Sequence, residues 1–294
     1  MSAVSTSSTA RKRRNTGPPV PVSCSLQPYH GKDKYKLVFS DGSHKWLERT
    51  THLLQNLAKK GLPGWHGMKT AEYYEECYRL GIHPKFWDAV NAGDRARDAA
   101  GARGKAVHKA IEEFLLHGVV WDPSQFTPAQ AYQLKSWLVW WEASGLCASM
   151  VEAVVYSQTG GYGGTIDLVV KDGAGWRIYD WKTGSLQPNH AWQMGAYSLA
   201  MVEMGVGEVL HAELIDLPKN PGDPLRANVL WTRDSLPKRQ YLQVGWHAFV
   251  IACGSIPVLG PSIEFPPVLV DFVPEYAGLP ETTESEIEEL FLNL

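Results

Sequence analysis

Asp167, Asp180 and Lys182 stand in a stretch that is otherwise apolar and aromatic, TIDLVVKDGAGWRIYDWKTG, running from Thr165 to Gly184. Two carboxylates and an amine on neighbouring apolar segments can do acid–base work, or they can seat a hard cation. Taking Gly173-Ala174 as a two-residue loop, a Gly-first pair suits a type II′ hairpin turn. Lys171 then faces Trp176, Val169 faces Ile178, Asp167 faces Asp180 and Thr165 faces Lys182. Side chains alternate along a strand, so Asp167, Asp180 and Lys182 share one face. Ile166, Leu168 and Val170 are expected on the other face with Tyr179 and Trp181.

Directly opposed residues have Cβ atoms about 4.5–5.5 Å apart. Two ionised carboxylates at that distance repel. A shared proton relieves the repulsion, and so does a bound divalent cation, for which paired carboxylates are natural ligands. Lys182, diagonal to the pair, helps neutralise it. A wet hairpin surface would also carry charges. It would not explain an Asp–Asp opposition, a lysine two residues on, and the preceding Gly163-Gly164, which lets another backbone or a ligand come close.

Other elements must hold this hairpin. YKLVFSDGSHKWLERTT, from Tyr35, reads as a hairpin around Asp41-Gly42, and THLLQNLAKKG as a short helix ending at Gly61. Helical periodicity covers 68–80, 94–117 and 127–144, the last stopped by Gly145. The helical spacing of Trp137, Trp140 and Trp141 marks core. MVEAVVYS (150–157) is a β-branched strand. The segment 188–205 returns to helix, with Asn189 as N-cap and Gly205 at the C-cap. LHAELIDL and RANVLWT are two further strands, and 235–253 is helical. The expected fold class is α+β: a helical N-terminal part, then a mostly antiparallel central sheet flanked by helices.

The 294 residues divide into three parts on this reading: a disordered basic and Pro-rich tail (1–23), a domain (24–254), and a Pro-rich arm with a short acidic helix (255–294). The tail carries Arg11, Lys12, Arg13 and Arg14. Residues 275–294 carry six glutamates and no lysine or arginine, and Ile287, Leu290, Phe291 and Leu294 form an apolar stripe that would dock on the body or on another subunit. Without the basic first 32 residues and the acidic 275–294, 23 basic and 25 acidic residues remain, a nearly neutral core, so any nucleic-acid site must be a local patch rather than a global field. Cys24, Cys77, Cys147 and Cys253 form no CxxC pattern and read as free thiols. No apolar run is long enough for a membrane helix. Free thiols imply a reducing compartment. TGPPVPV would break the helix of a mitochondrial transit peptide.

Asp167, a hairpin, then Asp180-Trp181-Lys182 resembles the PD-(D/E)xK nuclease motif. RGKAVHKAIEEFL (103–115) is similar to the helix of RecB-type nucleases that contributes a histidine, here His108. Gln193-Met194-Gly195-Ala196-Tyr197 resembles the Q-x-x-x-Y helix of that branch, and GLPGWHGMKTAEYY its helical N-terminal part. The likeness runs over roughly residues 45–205. Ile166 stands where the pattern has proline. The resemblance implies Mg²⁺- or Mn²⁺-dependent hydrolysis of DNA by an exonuclease acting in recombination, repair or replication. Asp167, Asp180, the Trp181 carbonyl and His108 would be metal ligands. Glu152, one strand earlier, would be a ligand through water or a plain strand residue. Lys182 would stabilise developing charge. Gln193, Tyr197, Thr183 and Lys105 would support the site or touch DNA, with Arg103, Lys109, Arg95 and Arg97 as further basic candidates. Some relatives carry a four-cysteine iron–sulfur cluster. Only Cys253 follows the core here, so no iron–sulfur cluster is expected. A recombinase or single-strand-annealing protein is the partner the analogy implies.

Overall fold

The computed structural model describes residues 19–56 and 62–253. The Arg11–Arg14 run, the end of the first short helix at Gly61, and the arm and acidic helix of 255–294 lie outside these residues.

The chain opens with three antiparallel strands, β1 (Pro21–Tyr29), β2 (Lys32–Phe39) and β3 (His44–Arg49). β2 and β3 are the expected hairpin around Asp41-Gly42. β1 was not anticipated, and it draws Pro21–Ser23 out of the segment assigned to a disordered tail. Its alternation is weak because, on the edge of the sheet, none of its residues is fully buried. Helices follow: α1 (Thr50–Leu53), α2 (Leu62–Arg79), α3 (Phe86–Val90), α4 (Ala92–His117) and α5 (Pro128–Ser144). Then come β4 (Met150–Ser157), β5 (Tyr162–Asp172), β6 (Gly175–Lys182), α6 (Pro188–Glu203), β7 (Val209–Asp216), β8 (Arg226–Trp231) and α7 (Leu236–Ala252). The N-cap of α6 is Gln187 with Pro188 at the first helical position, not Asn189. Proline there has its missing donor where no partner is needed.

All eight strands form one sheet in the order β1-β2-β3-β5-β6-β7-β8, with β4 on the other edge of β5. Pairing is antiparallel except for β3 with β5 and β6 with β7. The parallel β6–β7 pair needs a crossover, which α6 supplies. α4 and α5 cover one face, where Val107, Ile111, Leu134 and Trp137 bury Leu168, Tyr179 and Trp181. α6 and α7 cover the other, where Met194, Tyr197 and Trp246 pack with Val169, Ile178 and Ala212. A fully buried indole such as that of Trp181 anchors its strand by roughly 2–3 kcal/mol. Trp137 is fully buried and stacks on Trp141 at 5.7 Å, so these rings are core.

Two features of this sheet make the site. The first is a fork. β4 runs along one edge of β5 from Tyr162 to Val169. On the opposite edge β3 pairs only at Tyr162 and Gly163, and β6 only from Leu168 onward. Gly164 to Asp167 therefore line a gap where β3 and β6 part. The second is a shared kink. The β4–β5 ladder keeps its register on both sides but skips Glu152–Asp167, and Glu152 has φ +49°. Ile166 then packs with Val169 and Ile178 rather than with Leu168 and Val170. Strict alternation, which placed Ile166 beside Leu168, fails at that point because the pleat changes phase across Asp167.

Candidate active site

The hairpin register is the expected one, with Lys171 opposite Trp176 and Val169 opposite Ile178. Gly173 has φ +57° while Ala174 is not positive, the sign pattern of a type II′ turn. The ladder ends at Leu168–Tyr179, one pair short of Asp167–Asp180. There the strands diverge into the fork, and the Trp181 N–H donates to Asp167 Oδ2 at 2.9 Å. A strand residue presents its N–H and C=O to the same edge. The Trp181 carbonyl thus faces the β5 side, where the ligand assignment needs it.

The divergence re-sorts the acids. The Nδ1 or Nε2 of His108 and one carboxylate oxygen each of Glu152 and Asp167 lie within 4.8 Å of one another. His108 Nδ1 is 3.4 Å from Asp167 Oδ1. Asp180 lines the same cleft but stands outside this trio, paired with the ammonium of Lys182. The opposition of like charges foreseen for Asp167–Asp180 is met instead at Glu152–Asp167, the pair skipped by the ladder. No sequence signal marked Glu152 above other strand residues, because its aim depends on the left-handed backbone at that one position.

The electrostatics carry the imprint of the crowding. Burial, then the charge of Asp167, pushes the Glu152 carboxyl up to about 7. Burial also pushes Asp180 up to about 6; Lys182 opposes this and Asp167 adds to it. For His108, burial works against the imidazolium, but the charge and hydrogen bond of Asp167 outweigh it and hold the pKa above the usual value. Two carboxylate oxygens and an imidazole nitrogen converge there, a donor set that fits a hard or borderline divalent cation. Glu152 left ionised without one is costly.

Lys182 is held from two sides. It pairs with Asp180 and donates to Gln193 Oε1 at 3.2 Å. Gln193 Nε2 donates to Tyr197 Oη at 2.7 Å, one helical turn along α6. Gln193 thus contacts both Lys182 and Asp180, and Tyr197 contacts Gln193. Gly163 and Gly164 do admit a close approach, but what approaches is two tyrosine rings. A Cβ on Gly163 would lie 2.8 Å from the Tyr35 ring, and one on Gly164 2.1 Å from the Tyr197 ring. Tyr35 had no motif to announce it. Its hydroxyl shares a 2.6 Å hydrogen bond with Thr165 Oγ1 at the mouth of the fork.

Helix α5 lends no side chain to the cleft but fixes its dimensions. Its start is built by Thr127, which caps Gln130 reciprocally, and by Pro128. Gln130 also donates to the Arg103 carbonyl of α4 at 3.0 Å. Buried Gln133 donates to the carbonyls of Thr183 and Leu217, each at 3.1 Å, tying down the ends of β6 and β7. Thr183 packs so tightly on α4 that a Cβ on Gly104 would be 2.7 Å from its hydroxyl. Two glutamines on the apolar stripe of α5, with Leu134 and Trp137, were a readable signal. Gln133→Met keeps the volume and strands two buried carbonyls, so denaturant unfolding should show a loss of roughly 2–4 kcal/mol.

The cleft, of about 630 Å³, is bounded by Leu26, Tyr35 and Arg49 on one side and by α4 on the other. Lys105 and Lys109 line it. Lys109 is paired with Glu112 and Glu113, whereas Lys105 is exposed and has no ion-pair partner among the described residues. Arg95 and Arg97 are paired with aspartates and do not line the cleft, and neither does Arg103. No helix of the described residues is long and apolar enough to cross a membrane.

Residues 151–244 match a family model described as the PD-(D/E)XK nuclease superfamily. The match holds Glu152, Asp167, Asp180, Lys182, Gln193 and Tyr197; His108 and the three N-terminal strands lie outside it. A domain of this superfamily implies a divalent-metal-dependent nuclease that binds DNA. No curated protein matches the chain.

Proposed function

We propose that this protein is a DNA exonuclease of RecB type that hydrolyses phosphodiester bonds with Mg²⁺ or Mn²⁺, in phage or bacterial recombination, repair or replication. The observation that carries the reading is the convergence of His108, Glu152 and Asp167 within 4.8 Å, beside the Asp180–Lys182 pair, in the fork of the sheet. His108, Glu152, Asp167 and the Trp181 carbonyl would hold the cation, with Asp180 adjoining them. A bound divalent cation supplies Lewis-acid polarisation of a phosphate oxygen and neutralises the leaving group. Lys182 presents an ammonium, fixed by Asp180 and Gln193, to the oxygen that gains charge. Tyr197 holds Gln193 in place, and Thr183, which lines the cleft where β6 ends, would meet a phosphate there. Lys105, unpaired at the cleft wall, meets a phosphate of the bound strand.

The test is degradation of linear single- and double-stranded DNA by the purified protein with Mg²⁺ or Mn²⁺. Acid-soluble nucleotides are expected, and their absence with both metals and both substrates sinks the reading. The nearest rival is an endonuclease of the same fold. Circular single-stranded DNA separates the two, since a strict exonuclease leaves it whole. A non-catalytic DNA-binding module is disfavoured by the intact Asp167, Asp180 and Lys182 set. By analogy the protein would work with a recombinase or single-strand-annealing protein, and residues 255–294 are the segment through which subunits would join.

A further inference from the structure

We infer that the outer face of the β1–β2–β3 sheet is a second nucleic-acid contact, taking unpaired single-stranded DNA as it leaves the cleft. This rests on the reading of the cleft as a DNA-hydrolysing site. Tyr35 and Leu37 turn inward to a small core with Leu47, so Lys32, Lys34 and Lys36 turn outward. Lysines at every second residue form a row spaced about 6.7 Å apart. Beside them on the same face stand Tyr29, His44 and Trp46. The Tyr29 and Trp46 rings are 4.5 Å apart, and His44 is 6.0 Å from Trp46. Lys34 lies 5.1 Å over Tyr29 and Lys36 lies 5.8 Å over Trp46. This face gives no residue to any of the buried clusters.

Cross-strand aromatic packing alone would account for Tyr29 beside Trp46. It does not account for the charge. Along the alternation, Glu48 is the only acid on this face, and it is taken up by Lys34. Lys32 and Lys36 have no ion-pair partner among the described residues. Cations interleaved with aromatic rings on an open sheet suit a single strand, whose phosphates meet the lysines and whose bases can stack. A duplex keeps its bases stacked on one another and cannot use the rings. The face is also continuous with the cleft. Leu26 of the edge strand β1, Tyr35 of β2 and Arg49 of β3 line the cleft from the inner side of this same sheet. A strand leaving the cleft around the β1 edge arrives at the lysine row. In sequence, the Arg11–Arg14 run precedes β1 by only six residues.

The test is fluorescence anisotropy of the full chain with labelled oligo(dT) and with a duplex of equal length, in EDTA so that nothing is cut, across a salt series. For Lys32→Ala/Lys36→Ala the slope of log K against log salt should fall by about 1.4, and affinity for the single strand about tenfold. Trp46→Leu, which keeps apolar packing, should weaken the single strand about tenfold and leave the duplex unchanged. Both variants should cut a very short oligonucleotide that fills only the cleft at the wild-type rate. Unchanged slope and affinity overturn the inference, and so does equal weakening of duplex binding, which would remove the single-strand assignment. If the wild-type protein cuts no DNA, the hydrolysis reading fails, while the binding measured in EDTA still decides this one.

Discussion

Lys182→Ala is expected to lower kcat for DNA hydrolysis by about 10²–10³-fold, the usual cost of removing one charge-stabilising donor, with a smaller change in cation affinity. The trio within 4.8 Å does not include Lys182, so its donor set survives the truncation. A second effect adds to the first. The carboxyl of Asp180, already raised by burial, loses the cation that opposes that shift. It should then take up a proton in the working range, and the activity that remains should decline more steeply toward acid pH than in wild type. Asp167→Asn separates the roles. Asp167 belongs to the trio and also accepts from the Trp181 N–H. Its loss should abolish both turnover and the heat of Mn²⁺ binding in calorimetry. Full activity in either variant would mean that the hydrolysis is done elsewhere.

The second large effect concerns stability in the absence of a divalent cation. Glu152 titrates at about 7 in the folded protein and near its ordinary value of 4.5 once unfolded. Between these values the native state binds more protons than the unfolded state, so stability falls as pH rises. Asp180 acts in the same direction between 3.8 and about 6. His108, raised above 6.5, does so at the upper end of the window. Glu152→Gln removes one of these contributions and keeps the side-chain length at the φ +49° position. The variant should match wild type near pH 4 and exceed it by roughly 2 kcal/mol near pH 8, after allowing for partial solvent access. Saturating Mg²⁺ or Mn²⁺ should reverse the order, because wild type alone keeps the full donor set. Chemical unfolding across pH, with and without cation, measures both. A constant gap between the two proteins would show that Glu152 is not strained by its neighbours.

Much of the site was legible along the chain because it is local. Gly173 in a two-residue loop dictates the hairpin register, and alternation along one strand puts Asp180 and Lys182 on one face. Gln193 and Tyr197 at i and i+4 must lie together on any helix. The tryptophans of α5 follow from helical spacing, the end of α5 from Gly145, and the strands from 150 to 182 from β-branched content and the turn at Gly173. Legible too, in hindsight, were Gln130 and Gln133 on an apolar stripe.

What the tertiary structure decided is which acids meet. Register extrapolated past Leu168–Tyr179 opposes Asp167 to Asp180, but β3 and β6 compete for one edge of β5, and the strands part there. Asp180 then turns to Lys182 and α6, while Asp167 meets Glu152 across a skipped pair of the β4–β5 ladder and His108 from α4. These contacts join residues far apart in the chain. They depend on a left-handed backbone at Glu152 and on the depth to which Gly104 lets α4 settle on Thr183. Neither has a period or a motif, since both are set by how separately specified elements pack. The sequence determined the chemical groups and the local register. Packing of strands and helices distant in the chain selected His108, Glu152 and Asp167 as the converging set.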